Sequence, residues 1–159
     1  TLTITDGAIE KAKEAIRRGL PIITDTTMAA SGINKTAAGK FGINVHCFIG
    51  DEDVKAAAKE SGMTRSAAST EKAARLYPNC IYAVGNAPTA LMRLYELIEE
   101  KKIRPALIIG VPVGFVNVVE AKELILRTDV PAIVARGRKG GSNIAAAICN
   151  ALLYEAGGR

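Results

Sequence analysis

The chain has no tryptophan, one histidine and only seven aromatic residues among 159. Surfaces that stack nucleic-acid bases interleave aromatic with basic side chains, and no such interleaving occurs here, so nucleic acid is not an expected partner. No apolar stretch reaches the roughly 18–20 residues of a bilayer span, and no charged-then-apolar leader pattern is seen. Neither a membrane nor export is therefore expected. Cysteine is scarce as well: Cys47, Cys80 and Cys149 are far apart, odd in number and each set in an apolar run. That argues against a disulfide framework or paired metal ligands and reads as buried thiols in a reducing, cytoplasmic setting. With one histidine and scattered cysteines, neither transition-metal ligation nor a Ser-His-Asp arrangement is supported, and no metal or cofactor is expected. His46 itself sits inside a β-type run between Val45 and Cys47, which suits a core or sheet-face histidine better than a catalyst.

Against these absences stands a hydrophobic content of 48%, enough for a single domain over 1–159 with a sizeable core. Five short aliphatic runs follow one another: Leu20–Thr24, Asn44–Ile49, Cys80–Val84, Ala106–Val111 and Ala132–Ala135. They are β-branched and mostly lack strict alternation, as expected of strands buried on both faces. Helix-type segments separate them. Ala8, Ile9, Ala12, Ala15 and Ile16 recur at helical spacing after Thr5-Asp6, a plausible cap. Asp51–Lys59, Arg65–Leu76 with Thr64 as its cap, Thr89–Lys101, Asn117–Leu126 and Ser142–Tyr154 complete the set. Strands alternating with helices of this length predict βαβ units, a five-stranded parallel sheet and a three-layer α/β/α sandwich.

Three loops carry the functional signal. Gly85-Asn86-Ala87-Pro88-Thr89-Ala90, the 110–117 stretch Gly-Val-Pro-Val-Gly-Phe-Val-Asn and the 136–143 stretch Arg-Gly-Arg-Lys-Gly-Gly-Ser-Asn each follow a β-type run and open a helical one. Such junctions lie on the carboxyl edge of a parallel sheet, where ligands bind. Their glycine, Asn, Ser and Thr offer hydrogen bonds rather than acid–base pairs. The Gly-x-x-Gly-Gly pattern at 137–141 is neither a P-loop nor Gly-x-Gly-x-x-Gly; it reads either as a tight turn or as a helix start bared for an anion. Pro88 suits the first helical turn, with Asn86 placed to cap it. Of the net charge of +5, Arg65, Arg136, Arg138 and Lys139 flank presumed strand-end loops, which suits a carboxylate-rich small molecule. Arg65, permanently ionised and forked, is a candidate carboxylate clamp at the start of its helix.

Taken together, these segments resemble the precorrin-8 methylmutase (precorrin isomerase, cobalt-precorrin-8 methylmutase) family. The matching residues are Asp25-Thr26-Thr27-Met28-Ala29-Ala30-Ser31-Gly32, Thr64-Arg65-Ser66-Ala67-Ala68, Gly85 to Leu91, Gly110 to Val116, Glu120-Ala121-Lys122 and Arg136 to Ser142. They run in family order over nearly the whole chain. The resemblance implies a flavodoxin-like sandwich, a homodimer, and an isomerase of porphyrin metabolism and cobalamin biosynthesis. Such an enzyme moves one methyl group from C-11 to C-12 of precorrin-8 or cobalt-precorrin-8, giving hydrobyrinate or cobyrinate. A concerted [1,5]-shift needs a held ring and a proton donor but no covalent nucleophile, which fits the absence of a nucleophile–base pair.

On this reading, the substrate-binding residues expected are Ser31 and Gly32 from the first loop, and Thr64, Arg65 and Ser66 at one substrate edge. Asn86 and Thr89 would come from the second loop, and Gly140, Gly141 and Ser142 would act as backbone and hydroxyl donors from the last. The family carries a further N-terminal segment whose Arg-aliphatic-aliphatic-His stretch supplies the proton-transfer histidine. That stretch has no counterpart in these 159 residues and is expected upstream of Thr1; its role is not transferred to His46. Two other readings remain open: a corrinoid-binding relative without catalysis, and a generic nucleotide- or flavin-binding sandwich. The lack of a phosphate-loop fingerprint near the first strand counts against the last.

Overall fold

The structure, a computed structural model, describes residues 2–114 and 116–158. Thr1, Arg159 and Phe115 of the 110–117 motif lie outside the described residues. Among the described residues the sheet has six strands: β1 (Leu2–Ile4), β2 (Ile22–Thr24), β3 (Val45–His46), β4 (Ile81–Val84), β5 (Leu107–Gly110) and β6 (Ala132–Ala135). Their spatial order is β1-β6-β5-β4-β2-β3. The five strands read from sequence are parallel to one another. The expectation of a purely parallel five-stranded sheet is corrected by β1, which pairs antiparallel with β6 at one edge. Leu2-Thr3-Ile4 is three residues long, and Leu2 and Ile4 stay exposed, so no apolar run announces it.

That added strand also overturns the expected Thr5-Asp6 cap. The Thr5 amide donates to the Ala132 carbonyl at 3.0 Å, and the Thr5 hydroxyl accepts from the Ala132 amide at 2.9 Å. Helix α1 (Ala8–Arg17) starts instead from Gly7 at φ 75°, without a side-chain cap. Two short helices, α2 (Thr27–Gly32) and α3 (Lys35–Gly39), also went unread because neither is long enough to show a period. Each is nucleated by its cap: Thr26 accepts from the Ala29 amide and Asn34 from the Ala37 amide. Helix α4 (Glu52–Ser61) leads into α5 (Arg65–Leu76), which Thr64 caps as expected by accepting from the Ala67 amide at 3.1 Å. Then come α6 (Pro88–Glu99), α7 (Val118–Leu126) and α8 (Ser142–Ala156).

Strand residues alternate between two apolar cores. Ile22, Ile81, Ala83, Leu107, Ile109 and Ile133 face α1, α2, α3 and α8. Ile23, Tyr82, Val84, Ile108 and Val134 face α5, α6 and α7. Helices thus cover both faces, and the central strands β4, β5 and β6 are buried throughout, which is why their sequences show no alternation. Numbered among themselves, the five parallel strands run in the order 2-1-3-4-5. The order reverses between β2 and β4, and the crevice outside their carboxyl ends is where a doubly wound sheet binds ligands.

Candidate functional site

At that crevice, the residue after β2 does most of the organising. Asp25 is buried, with 7% exposure. Its carboxylate accepts hydrogen bonds from the amides of Gly85 at 2.8 Å, Asn86 at 2.9 Å and Ala87 at 2.8 Å. One side chain from the end of β2 therefore reaches across the reversal point and fixes the loop after β4 that leads into α6. Burial raises the Asp25 carboxyl above its ordinary value, while the three amide donors pull it back. Asn86 is not the cap expected of it: α6 starts at Pro88 with no side-chain cap from its own loop, and only the Asn86 backbone is used. In the sequence Asp25 stands out only as the first residue of the 25–32 segment, because its partners lie sixty residues away.

The last loop is pressed into the same place. The Thr26 and Ser142 hydroxyls meet at 2.8 Å, joining the starts of α2 and α8. A Cβ on Gly85 would stand 2.7 Å from the Ser142 Cα, and one on Gly140 would stand 2.0 Å from the Val111 carbonyl oxygen. Both positions need glycine because backbone passes backbone there. The expectation that Gly141 offers its amide to a ligand is corrected, since that N–H donates to the Val111 carbonyl at 2.8 Å. Between these loops lies an open cleft of about 420 Å³, walled by Thr26, Met28, Gly85, Asn86, Val113 and the 140–143 segment.

Other expected residues form a second cluster. The Thr64 and Thr89 hydroxyls meet at 3.0 Å, so the starts of α5 and α6 lie side by side, and Arg93 on α6 binds Glu71 on α5 at 2.7 Å. Arg65 and Ser66 open α5 next to this contact, with Arg65 exposed and in no ion pair among the described residues. Ser31 and Gly32 end α2 and are not part of the cleft wall; a Cβ on Gly32 would stand 2.8 Å from the Ala146 Cβ, so packing on α8 explains that glycine. Arg136 is held by Glu123 of α7 through two contacts of 2.9 and 2.6 Å. His46 is stacked between Phe48 and Tyr77, with ring centroids 5.6 and 5.0 Å away. That is an aromatic packing role on the edge strand.

Several helix N-termini, those of α2, α5, α6 and α8, meet at this edge, where their dipoles favour negative charge. No group of acidic, histidine and cysteine residues able to hold a metal occurs among the described residues. A larger hollow, about 590 Å³, lies at the opposite edge between Pro78, Ile98, Lys101, Arg104 and Asp129. It is open, mixed in charge and close to the carbonyl end of α6, and none of the motif loops reaches it. The carboxyl-edge cleft is where the fold and the motifs coincide.

The family model for precorrin-8X methylmutase matches residues 1–155. The chain belongs to the precorrin-8X methylmutase family. Relatives include the cobalt-precorrin-8 methylmutase of Leptospira interrogans, 46% identical over 154 residues, covering 92% of this chain and 70% of the relative. That of Salmonella typhimurium is 48% identical over 149 residues, covering 93% and 69%. Among solved structures, the precorrin-8x methyl mutase of Thermus thermophilus superposes with a TM-score of 0.89 at 38% identity, covering 99% of this chain and 77% of that one.

Proposed function

We infer that this protein is a corrin-ring isomerase that moves a methyl group from C-11 to C-12 of precorrin-8 or cobalt-precorrin-8, yielding hydrobyrinate or cobyrinate. The observation that carries the reading is the cleft at the carboxyl edge. Its walls are methylmutase motif loops locked to one another by Asp25, by the Thr26–Ser142 contact and by the close approach of Gly140 to Val111. A methyl shift between adjacent ring carbons asks the protein to hold a rigid macrocycle in one tautomer; a pre-organised wall supplies that without a nucleophile.

The macrocycle bears acetate and propionate groups around its rim. Helix N-termini, the Ser142 hydroxyl and the amides of the 140–143 segment other than that of Gly141 suit those carboxylates on one side, and Arg65 with Ser66, Thr64 and Thr89 suits them on the other. Asn86, exposed at the cleft, lies three residues before Thr89 of the second cluster. Ser31 and Gly32 reach the ring only from the far end of α2 and contribute least. Proton transfer is assigned to the histidine of the family's Arg-aliphatic-aliphatic-His stretch, because half-buried His46 is stacked on Phe48 and Tyr77 on the edge strand. The order of the parallel strands supports a flavodoxin-like three-layer sandwich. A homodimer supplies further walls for a ligand larger than the cleft of about 420 Å³. The cytoplasm suits three unpaired thiols.

Incubating the protein, with the family's Arg-aliphatic-aliphatic-His stretch present, with precorrin-8 and following the visible spectrum of the ring tests the reading. Conversion to the corrin chromophore is expected. A spectrum that stays unchanged, with no corrin product bound, contradicts it.

A further inference from the structure

Lys122 is the largest side chain among the described residues with no exposure to solvent, at 0%. Lysine is almost never fully buried unless paired, yet no carboxylate pairs with it among the described residues. Its Nζ instead donates to the carbonyl oxygens of Gly137 and Lys139, both at 2.8 Å. These two carbonyls belong to the loop that ends in the cleft wall. Burial also pushes the ammonium below the ordinary lysine value, so the group is kept at a cost and its use must be local.

Peptide geometry says what the two bonds do. In a trans peptide the N–H points opposite to the C=O, and the described residues contain no cis bond. With the 137 and 139 carbonyls turned toward Lys122, the amides of Arg138 and Gly140 face away from it. Gly140 lies in the cleft wall, and its N–H is absent from the hydrogen bonds within the described residues, whereas the next amide is taken by Val111. A cation on one side of a peptide also polarises it, strengthening the donor on the other side.

We propose that Lys122 is a positioning residue for the methylmutase reaction: its buried ammonium sets the 137–140 backbone so that the Gly140 amide meets a carboxylate of the corrin ring. The proposal rests on the cleft being the corrin site. Lys122 touches no substrate. It holds the loop that does.

The test uses hydrobyrinate as ligand, titrated by visible absorption, with precorrin-8 turnover alongside. Lys122→Met keeps the volume and removes both hydrogen bonds. Affinity for hydrobyrinate is expected to fall about 10- to 100-fold, with KM for precorrin-8 rising in step while kcat changes less. The amide resonance of Gly140 should move even without ligand. Lys122→Ala leaves a slot the size of n-propylamine, and that amine should restore affinity where n-propanol, which fills the slot without the ammonium, does not. Equal rescue by both compounds makes Lys122 a space-filler and overturns the proposal; so does a folded Lys122→Met whose affinity matches wild type. If Lys122→Met does not fold, the amine and alcohol arms decide the matter. Wild-type protein that fails to bind hydrobyrinate overturns the functional reading itself, an outcome distinct from wild type and Lys122→Met binding equally well.

Discussion

Removing the Asp25 carboxylate tests how the site is built. Its oxygens take three backbone donors, those of Gly85 and Ala87 in buried positions and that of Asn86 where water can reach. In Asp25→Ala the two buried amides are left without an acceptor at about 1–3 kcal/mol each, whereas the third rehydrates at little cost. The sum is about 4 kcal/mol, which for a domain of this size lowers the melting temperature by on the order of 10 °C. Asp25→Asn should fall between the two: its carbonyl keeps some of the donors, but its –NH2 faces another N–H. Because burial makes the Asp25 charge costly, the neutral asparagine recovers part of the loss. Thermal unfolding by circular dichroism gives the order wild type, Asn, Ala. Amide exchange of residues 85–87 shows whether the loss is local. An alanine variant that melts within about 2 °C of wild type, with those amides still protected, would refute the claim that Asp25 holds the loop.

Further expectations follow from the same geometry. Burial pushes the Cys80 and Cys149 thiols up to about 12 and raises Cys47 to a lesser degree. A thiol reagent at pH 8 should therefore modify native protein only at half-buried Cys47, and slowly, and should reach all three after unfolding; three rapid thiols would contradict the packing. Because these thiols hold their protons more tightly when folded, that contribution to stability is intact below the unfolded value of 9.0 and is lost as pH rises toward 12. Urea midpoints measured across pH 8–11 should fall accordingly. Arg65→Ala should weaken hydrobyrinate by about 2–4 kcal/mol, with Arg65→Lys intermediate, while melting stays put because Thr64 still caps α5. Unchanged affinity in the alanine variant would make Arg65 a surface residue.

The sequence carried the parallel layers because buried strands are written as continuous aliphatic runs and helices as 3.6-residue periods. Ala132–Ala135 and Arg65–Leu76 have the same bounds in both readings. What stayed hidden was short or non-local. Leu2–Ile4 becomes a strand only by lying against β6, and α2 and α3 are too brief for a period. The loops at 85–90 and 136–143 were legible as ligand rim, but the groups that fix them were not. Asp25 acts across sixty residues, and Lys122 appears in sequence as one more helix cation. Gly141 was expected to face a ligand, yet its amide is committed to Val111, a contact that depends on two loops meeting. Local chemistry proposes donors; only the tertiary structure says which are already used.

The most direct test is turnover of precorrin-8 with the family's Arg-aliphatic-aliphatic-His stretch present upstream of Thr1, comparing His46 with His46→Gln. Because His46 lies stacked between Phe48 and Tyr77 on the edge strand, the visible spectrum should report the same rate of methyl migration in both proteins. Loss of that upstream histidine should slow the rate by about 10²–10⁴. Migration that continues without the upstream histidine and disappears in His46→Gln would contradict the account, moving the proton donor onto β3.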